Sequence, residues 1–188
     1  AAWSPDGRWI AYLSDETGEY EIWLRSGNGK GEARRVTQDG AKWRFDLHWS
    51  PDSKRLAFSD SDFDLWVLNV ESGALSRADH SPVREILDVA WSEDSRWLAY
   101  AKPEPNELRS IFIYDAKTQQ TRRVTDEFTD DASPAFDPAG KYLYFTSARH
   151  FQPAFAGYDL HPFFTGTTGL YAVTLRADVP HPFPPESD

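Results

Sequence analysis

The sequence predicts an all-β fold, a β-propeller of four four-stranded blades with the last one incomplete. Three observations carry this. A turn motif recurs as Trp3-Ser4-Pro5-Asp6-Gly7-Arg8, Trp49-Ser50-Pro51-Asp52-Ser53-Lys54, Trp91-Ser92-Glu93-Asp94-Ser95-Arg96 and, more weakly, Phe136-Asp137-Pro138-Ala139-Gly140-Lys141. The copies lie 46, 42 and 45 residues apart. Each is followed by two short runs of aromatic and β-branched residues bounded by Gly, Asp, Ser and Asn, which is the pattern of paired strands. A period of about 40–45 residues with four strands per unit is that of a propeller blade.

Strand a of each unit ends in the aromatic residue before the turn. In the turn, proline presets φ and glycine supplies positive φ. Strand b follows as Trp9-Ile10-Ala11-Tyr12, Arg55-Leu56-Ala57-Phe58, Trp97-Leu98-Ala99-Tyr100 and Tyr142-Leu143-Tyr144-Phe145. Strand c follows as Glu21-Ile22-Trp23-Leu24, Asp64-Leu65-Trp66-Val67, Ser110-Ile111-Phe112-Ile113 and Gly169-Leu170-Tyr171-Ala172. Strand d reads Arg34-Arg35-Val36-Thr37 and Arg122-Arg123-Val124-Thr125, with a looser copy at Ser76-Arg77-Ala78. The paired arginines are expected to be solvated or to protect a sheet edge. The blades therefore span 1–40, 41–82, 83–128 and 129–176.

After Leu175 the chain carries Pro180, Pro182, Pro184 and Pro185. Proline has no amide donor for a ladder, so strand d of the fourth blade is predicted to be missing and 177–188 to be an exit linker. Seven of the eight tryptophans fall at repeat positions, where they are expected to pack between sheets; Trp43 alone does not. The chain opens inside the repeat pattern and lacks methionine. It is expected to be an open fragment of a larger propeller in a longer polypeptide. Open blade edges lead to an expectation of self-association, or of closure by blades upstream.

Hydrophobic residues make up 40% and charged residues 27%, with a net charge of -10. That balance reads as a soluble globular protein and disfavours a nucleic-acid partner. No apolar run approaches the roughly 20 residues of a membrane-crossing helix, and no signal-peptide pattern opens the chain. A membrane is therefore not an expected partner, and the cytoplasm and the periplasm both stay open as locations. Cysteine is absent, which removes disulfides, thiol nucleophiles and cysteine metal sites.

The Trp-Ser-Pro-Asp-Gly-Arg turn followed by Trp-Ile-Ala-Tyr resembles the repeat shared by TolB, tricorn protease and the propellers of prolyl-oligopeptidase-like peptidases. The stretch from Tyr142 to Pro153, then Tyr158-Asp159-Leu160 and Gly169 to Asp178, resembles the last propeller blade of tricorn-type proteases. The long b–c insertion and the proline-rich exit belong to that likeness. The resemblance implies the C-terminal part of a tricorn-like second propeller, with blades missing upstream. It implies a PDZ-like module and a serine-peptidase region downstream as partners, and a role in channelling oligopeptides to and from a catalytic site outside this chain. It carries no catalytic residue onto these positions. A TolB-like interaction propeller without an enzyme, and a prolyl-oligopeptidase-like propeller, remain as alternatives.

Strand a lines the channel of a propeller. Three residues before the repeat aromatic stand Asp46, Asp88 and Ser133, with His48 and Asp131 nearby. These predict an acidic ring that attracts a peptide amino terminus or basic side chains. The competing reading is that the carboxylates accept backbone hydrogen bonds between blades. The insertion from Ala148 to Thr168 carries Phe151, Phe155, Tyr158, Phe163 and Phe164. Long loops of this kind tend to be functional, and these aromatics are expected to dock on the propeller or a neighbouring domain. Ser4, Ser50 and Ser92 repeat as turn residues, and no nucleophile elbow is present. The histidines show no zinc spacing. Asp60, Asp62, Asp64 and Glu71 fall near a calcium-loop spacing, but Leu65 holds the place of the turn glycine. That segment is expected to be a b–c hairpin with an acidic tip. No metal or cofactor is predicted.

Overall fold

The computed structural model describes residues 1–182 except 19, 39, 151–152, 156–161 and 165; for 153–155 and 162–164 it describes the backbone. Blade 1 contains β1 (Ala2–Trp3), β2 (Trp9–Ser14), β3 (Glu21–Ser26) and β4 (Arg34–Arg35). Blade 2 contains β5 (Arg44–Trp49), β6 (Arg55–Asp60), β7 (Asp64–Asn69) and β8 (Leu75–His80). Blade 3 contains β9 (Val89–Trp91), β10 (Trp97–Pro103), β11 (Arg109–Asp115) and β12 (Gln120–Arg123). Blade 4 contains β13 (Asp131–Phe136), β14 (Tyr142–Ala148) and β17 (Thr168–Thr174). Between β14 and β17, β15 (Pro153–Phe155) and β16 (Pro162–Phe164) form a separate hairpin. Every sheet is an antiparallel meander, and no described strand adds to the outer edge of β17. The described residues contain no helix.

Each turn is locked by its own serine and aspartate. Ser4, Ser50 and Ser92 Oγ donate to Asp6, Asp52 and Asp94 Oδ1, each at 2.6 Å. The same hydroxyls accept the amides of Trp9, Arg55 and Trp97, each at 2.9 Å. All three serines are buried. Their hydroxyls are committed to the turn, which is why this residue recurs.

The core lies between blades rather than within one. Alternate side chains of a strand point to opposite faces, and the middle strands are covered on both. Leu56 and Phe58 pack toward Ala11, Ile22 and Leu24 of blade 1, while Ala57 faces Leu98 and Tyr100 of blade 3. Ala99 and Ala101 face Leu143 and Phe145 of blade 4. This double burial gives β6 and β10 their nearly continuous apolar runs.

Three details differ from the sequence expectation. The weakest outer-strand signal, around Ser76–Ala78, belongs to the longest outer strand, β8. It is held from blade 3, where Tyr100 Oη donates to Asp79 Oδ2 at 2.7 Å and Lys102 Nζ to Asp79 Oδ1 at 3.0 Å. By contrast, the Arg-Arg-Val-Thr strands end early. Their threonines turn inward, and Thr37 and Thr125 Oγ1 accept the amides of Ile22 and Ile111 at 2.9 Å. Two of the paired arginines also make specific contacts. Arg34 Nη2 donates to Val70 O at 3.0 Å, and Arg123 Nη2 to Glu104 Oε1 at 2.6 Å.

The acidic segment forms the β6–β7 hairpin. Asp60 Oδ1 accepts the amides of Asp62 and Asp64, and Asp60 Oδ2 accepts Trp66 Nε1 at 2.8 Å. Lys42 Nζ lies 2.5 Å from Asp62 Oδ2.

Candidate functional site

The first strands of successive blades touch in order, β1 with β5, β5 with β9 and β9 with β13. They are stitched by their tryptophans. Trp49 Nε1 donates to Ala2 O at 3.1 Å, and Trp91 Nε1 to His48 O at 3.2 Å. The acceptor is each time the residue before the repeat aromatic of the preceding blade. Phe136 has no donor for the same bond to Ala90. A second stitch joins the turns, where Ser53 Oγ accepts Asp6 N at 3.1 Å and Ser95 Oγ accepts Asp52 N at 2.9 Å. Both serines sit at φ +59°, the place glycine holds in Gly7 at +70° and Gly140 at +67°. A strained serine is kept because its hydroxyl reaches the neighbouring blade. At the seam of blades 3 and 4, Gly140 cannot supply this bond.

Asp46 and Ser133 are the first residues of two matching bulges. In blade 2 the register steps from Phe45 opposite Ser59 to His48 opposite Ala57, and in blade 4 from Ala132 opposite Thr146 to Ala135 opposite Tyr144. Asp46 has φ +39° and Ser133 φ +53°. Bulges of this kind re-aim a side chain, and Asp46 and Ser133 are both exposed. Asp88 occupies the same position in blade 3 without a bulge, where its carbonyl accepts Ala101 N at 3.0 Å. Its carboxylate Oδ2 accepts the Ser133 amide in a short hydrogen bond across the blade seam. The structure thus joins Asp88 to Ser133, and Asp88 accepts a backbone hydrogen bond between blades.

His48 is half-buried, and its Nε2 finds no hydrogen-bond partner among the described residues. Burial lowers its pKa, and the charges of Asp46 and Asp88 oppose that shift without reversing it. Asp131 lies elsewhere. It is fully buried, accepts Thr129 Oγ1 at 3.0 Å, and lies 3.4 Å from Arg149 Nη2. Arg149 in turn stacks over Tyr171 at 4.9 Å. The Asp131 carboxylate is buried against Thr129 and Arg149. Phe151 and Tyr158 fall outside the described residues. Phe155, Phe163 and Phe164 are described only as backbone of β15 and β16.

The family model described as the tricorn protease second beta propeller domain matches residues 1–188. The chain belongs to this family. The tricorn protease homolog 1 of Streptomyces coelicolor is 30% identical over 184 residues, covering 95% of this chain and 17% of its own length. The chain thus spans less than a fifth of that relative. The crystal structure of the tricorn protease superposes with a TM-score of 0.85 at 21% identity, covering 93% of this chain and 18% of the other. A putative TolB from Agrobacterium tumefaciens gives a TM-score of 0.59 at 24% identity, covering 93% of this chain and 63% of the other. These two likenesses are of fold.

Two features of this tricorn second-propeller segment escaped the sequence. Glu21, buried at 2% exposure, accepts Thr37 Oγ1, Gly40 N at 2.8 Å and Arg44 Nη1 at 2.7 Å. Burial alone raises the Glu21 pKa, but these hydrogen bonds outweigh it and hold the carboxyl below the usual range. Trp43, the one tryptophan off the repeat, is 61% exposed and stacks on Tyr20 at 4.9 Å. Its departure from the period was the available signal.

Proposed function

We propose that this chain is a non-catalytic propeller segment of a tricorn-like serine peptidase. Its inner strands steer and gate oligopeptides toward a catalytic region elsewhere in the parent polypeptide. Family membership carries this reading, joined to carboxylates at matching positions of neighbouring inner strands, Asp46 and Asp88. Carboxylates on a channel wall raise the local concentration of cationic groups, here a peptide amino terminus or a basic side chain. The turn serines support the non-catalytic part, because their hydroxyls already serve the backbone.

The partners in this reading are peptides and the downstream peptidase and PDZ-like regions. Closure by further blades, or self-association through a blade edge, belongs to the same proposal. Its support is Trp3, which is 61% exposed although its counterparts Trp49 and Trp91 each donate into the preceding blade.

The test is a double variant of the parent enzyme, Asp46→Asn with Asp88→Asn. At low ionic strength, kcat/KM for a lysine-rich peptide with a free amino terminus is expected to fall about three- to tenfold relative to an acetylated neutral peptide. The difference shrinks as salt rises. An unchanged ratio sinks the steering role. Hydrolysis of a fluorogenic peptide by the pure 188-residue chain, abolished by a substitution within it, sinks the non-catalytic one.

A further inference from the structure

The repeat supplies a template for what blade 4 lacks. At the seam of blades 2 and 3, β12 and the turn before it close over β8. Thr121 Oγ1 donates to Ala78 O at 2.7 Å, and Gln119 Nε2 to Ser76 Oγ at 3.2 Å. At the seam of blades 3 and 4 no described strand takes that place. A groove of about 960 Å³ lies there instead. Its floor is apolar, formed by Ile113 and Val124 of blade 3 and Phe136, Val173 and Leu175 of blade 4. Beside it runs β17, whose only partner among the described residues is β14. The seven-residue strand therefore keeps one row of N–H and C=O groups outside any ladder. Such an edge is a template for an added strand.

The groove also holds a cluster of arginines. Arg96, Arg122, Arg123 and Arg176 line it against Glu93 and Asp94, while the chain as a whole carries -10. Asp94 is held in its own turn by the Ser92 hydroxyl and the Arg96 amide. Three arginines already face carboxylates: Arg96 with Asp115, Arg123 with Glu104, and Arg176 with Asp178. Arg122 is exposed and has no such partner among the described residues.

We infer that the groove is a strand-docking site. It takes an extended polypeptide segment as the fourth strand of blade 4, paired along β17. Along one face of the segment, set by the period of two, apolar side chains cover the floor and a carboxylate in the same row meets Arg122, which stands directly opposite the floor residue Ile113 in the β11–β12 ladder. The occupant is thus a strand whose groove-facing row carries valine-like residues and a carboxylate, a different ligand from the cationic peptide of the inner strands.

The probe is the fluorescein-labelled heptapeptide Val-Thr-Val-Thr-Glu-Thr-Val, which sets its valines and its glutamate in one alternate row. It has two twins, one with a central proline and one with lysine for glutamate. Fluorescence anisotropy with the 188-residue chain is expected to show the glutamate peptide binding about tenfold tighter than either twin. Arg122→Glu, at an exposed site, is expected to weaken the glutamate peptide about fivefold and to strengthen the lysine twin. Amide exchange along β17 slows when the glutamate peptide is bound. Absence of binding, equal affinity for the proline twin, indifference to Arg122→Glu, or protection appearing away from β17 each overturns the inference. A chain that pairs with a second copy through β17 in sedimentation, and thereby excludes the peptide, overturns the choice of occupant.

Discussion

Replacing Arg44 by methionine is expected to destabilise the chain by about 3–5 kcal/mol at pH 7. The magnitude follows from burial. Glu21 and Arg44 are 2% and 6% exposed, and the guanidinium bridges the Glu21 carboxylate, Thr37 Oγ1 and Tyr20 O at 2.7–2.8 Å. Removing the guanidinium leaves the carboxylate buried with Thr37 and Gly40 as its partners among the described residues, and an uncompensated buried charge costs more than the pair contributes. With about 2–3 kcal/mol per molar urea for a chain of this size, the midpoint falls by about 1–2 M. The pH dependence gives a second, independent sign. In the native chain the Glu21 pKa is lowered on folding, so its stabilisation is complete above the ordinary carboxylate value and is lost as pH falls through the folded value. In Arg44→Met burial dominates and raises that pKa, so protonation relieves the buried charge. The gap between the two proteins therefore narrows from pH 7 to pH 4. The double variant Glu21→Gln with Arg44→Met should regain part of the loss. Urea unfolding across that pH range is the assay. A loss below about 1 kcal/mol, a gap that does not change with pH, or a double variant no better than Arg44→Met would refute the reasoning.

Three further outcomes are expected at the blade seams. Asp88→Ala removes the acceptor of the Ser133 amide and should cost about 1–2 kcal/mol, with Asp88→Asn losing about half as much. Asp46→Asn, exposed and tolerant of positive φ, should stay within about 0.5 kcal/mol. Equal effects of the three variants on the urea midpoint would show that Asp88 pins nothing. Ser95→Ala should be about 1 kcal/mol less stable than Ser95→Gly. Both lose the bond from Asp52 N, and only alanine keeps a Cβ at φ +59°; calorimetric melting temperatures in the reverse order would contradict this. His48 has its pKa lowered by burial, so its contribution is full above about pH 6.5 and declines as pH falls toward the folded value. His48→Gln should flatten the loss of stability between about pH 6.5 and pH 5, and a slope equal to the native one would remove His48 as its source.

The blades were legible because pairing within a blade is local. Strands joined by tight turns meet through residues a few positions apart, so the motif at Trp3, Trp49, Trp91 and Phe136 and the apolar runs behind it sufficed to place strands a, b and c. The prolines after Leu175 marked the stretch in which the described residues, up to 182, form no further strand. The candidate site was legible only in part. Counting back from the repeat aromatic found Asp46, Asp88 and Ser133 as equivalent positions, but the same count placed Asp131 beside them. The structure buries Asp131 beside Arg149, at a position that is buried in blades 2 and 3 as well, where Arg44 and Ile86 stand.

By itself, then, the sequence determined the repeat, its period and its turns, since those rest on residue type and spacing. Tertiary structure alone decided which atoms meet across a seam between repeats more than 40 residues apart. Asp88 reaches an amide of the next blade, Ser53 and Ser95 accept strain to bond to a neighbour, and Glu21 finds its charge partner at the start of another blade. The groove beside β17 has the same origin. It belongs to two blades at once, and no single repeat contains the pattern that makes it.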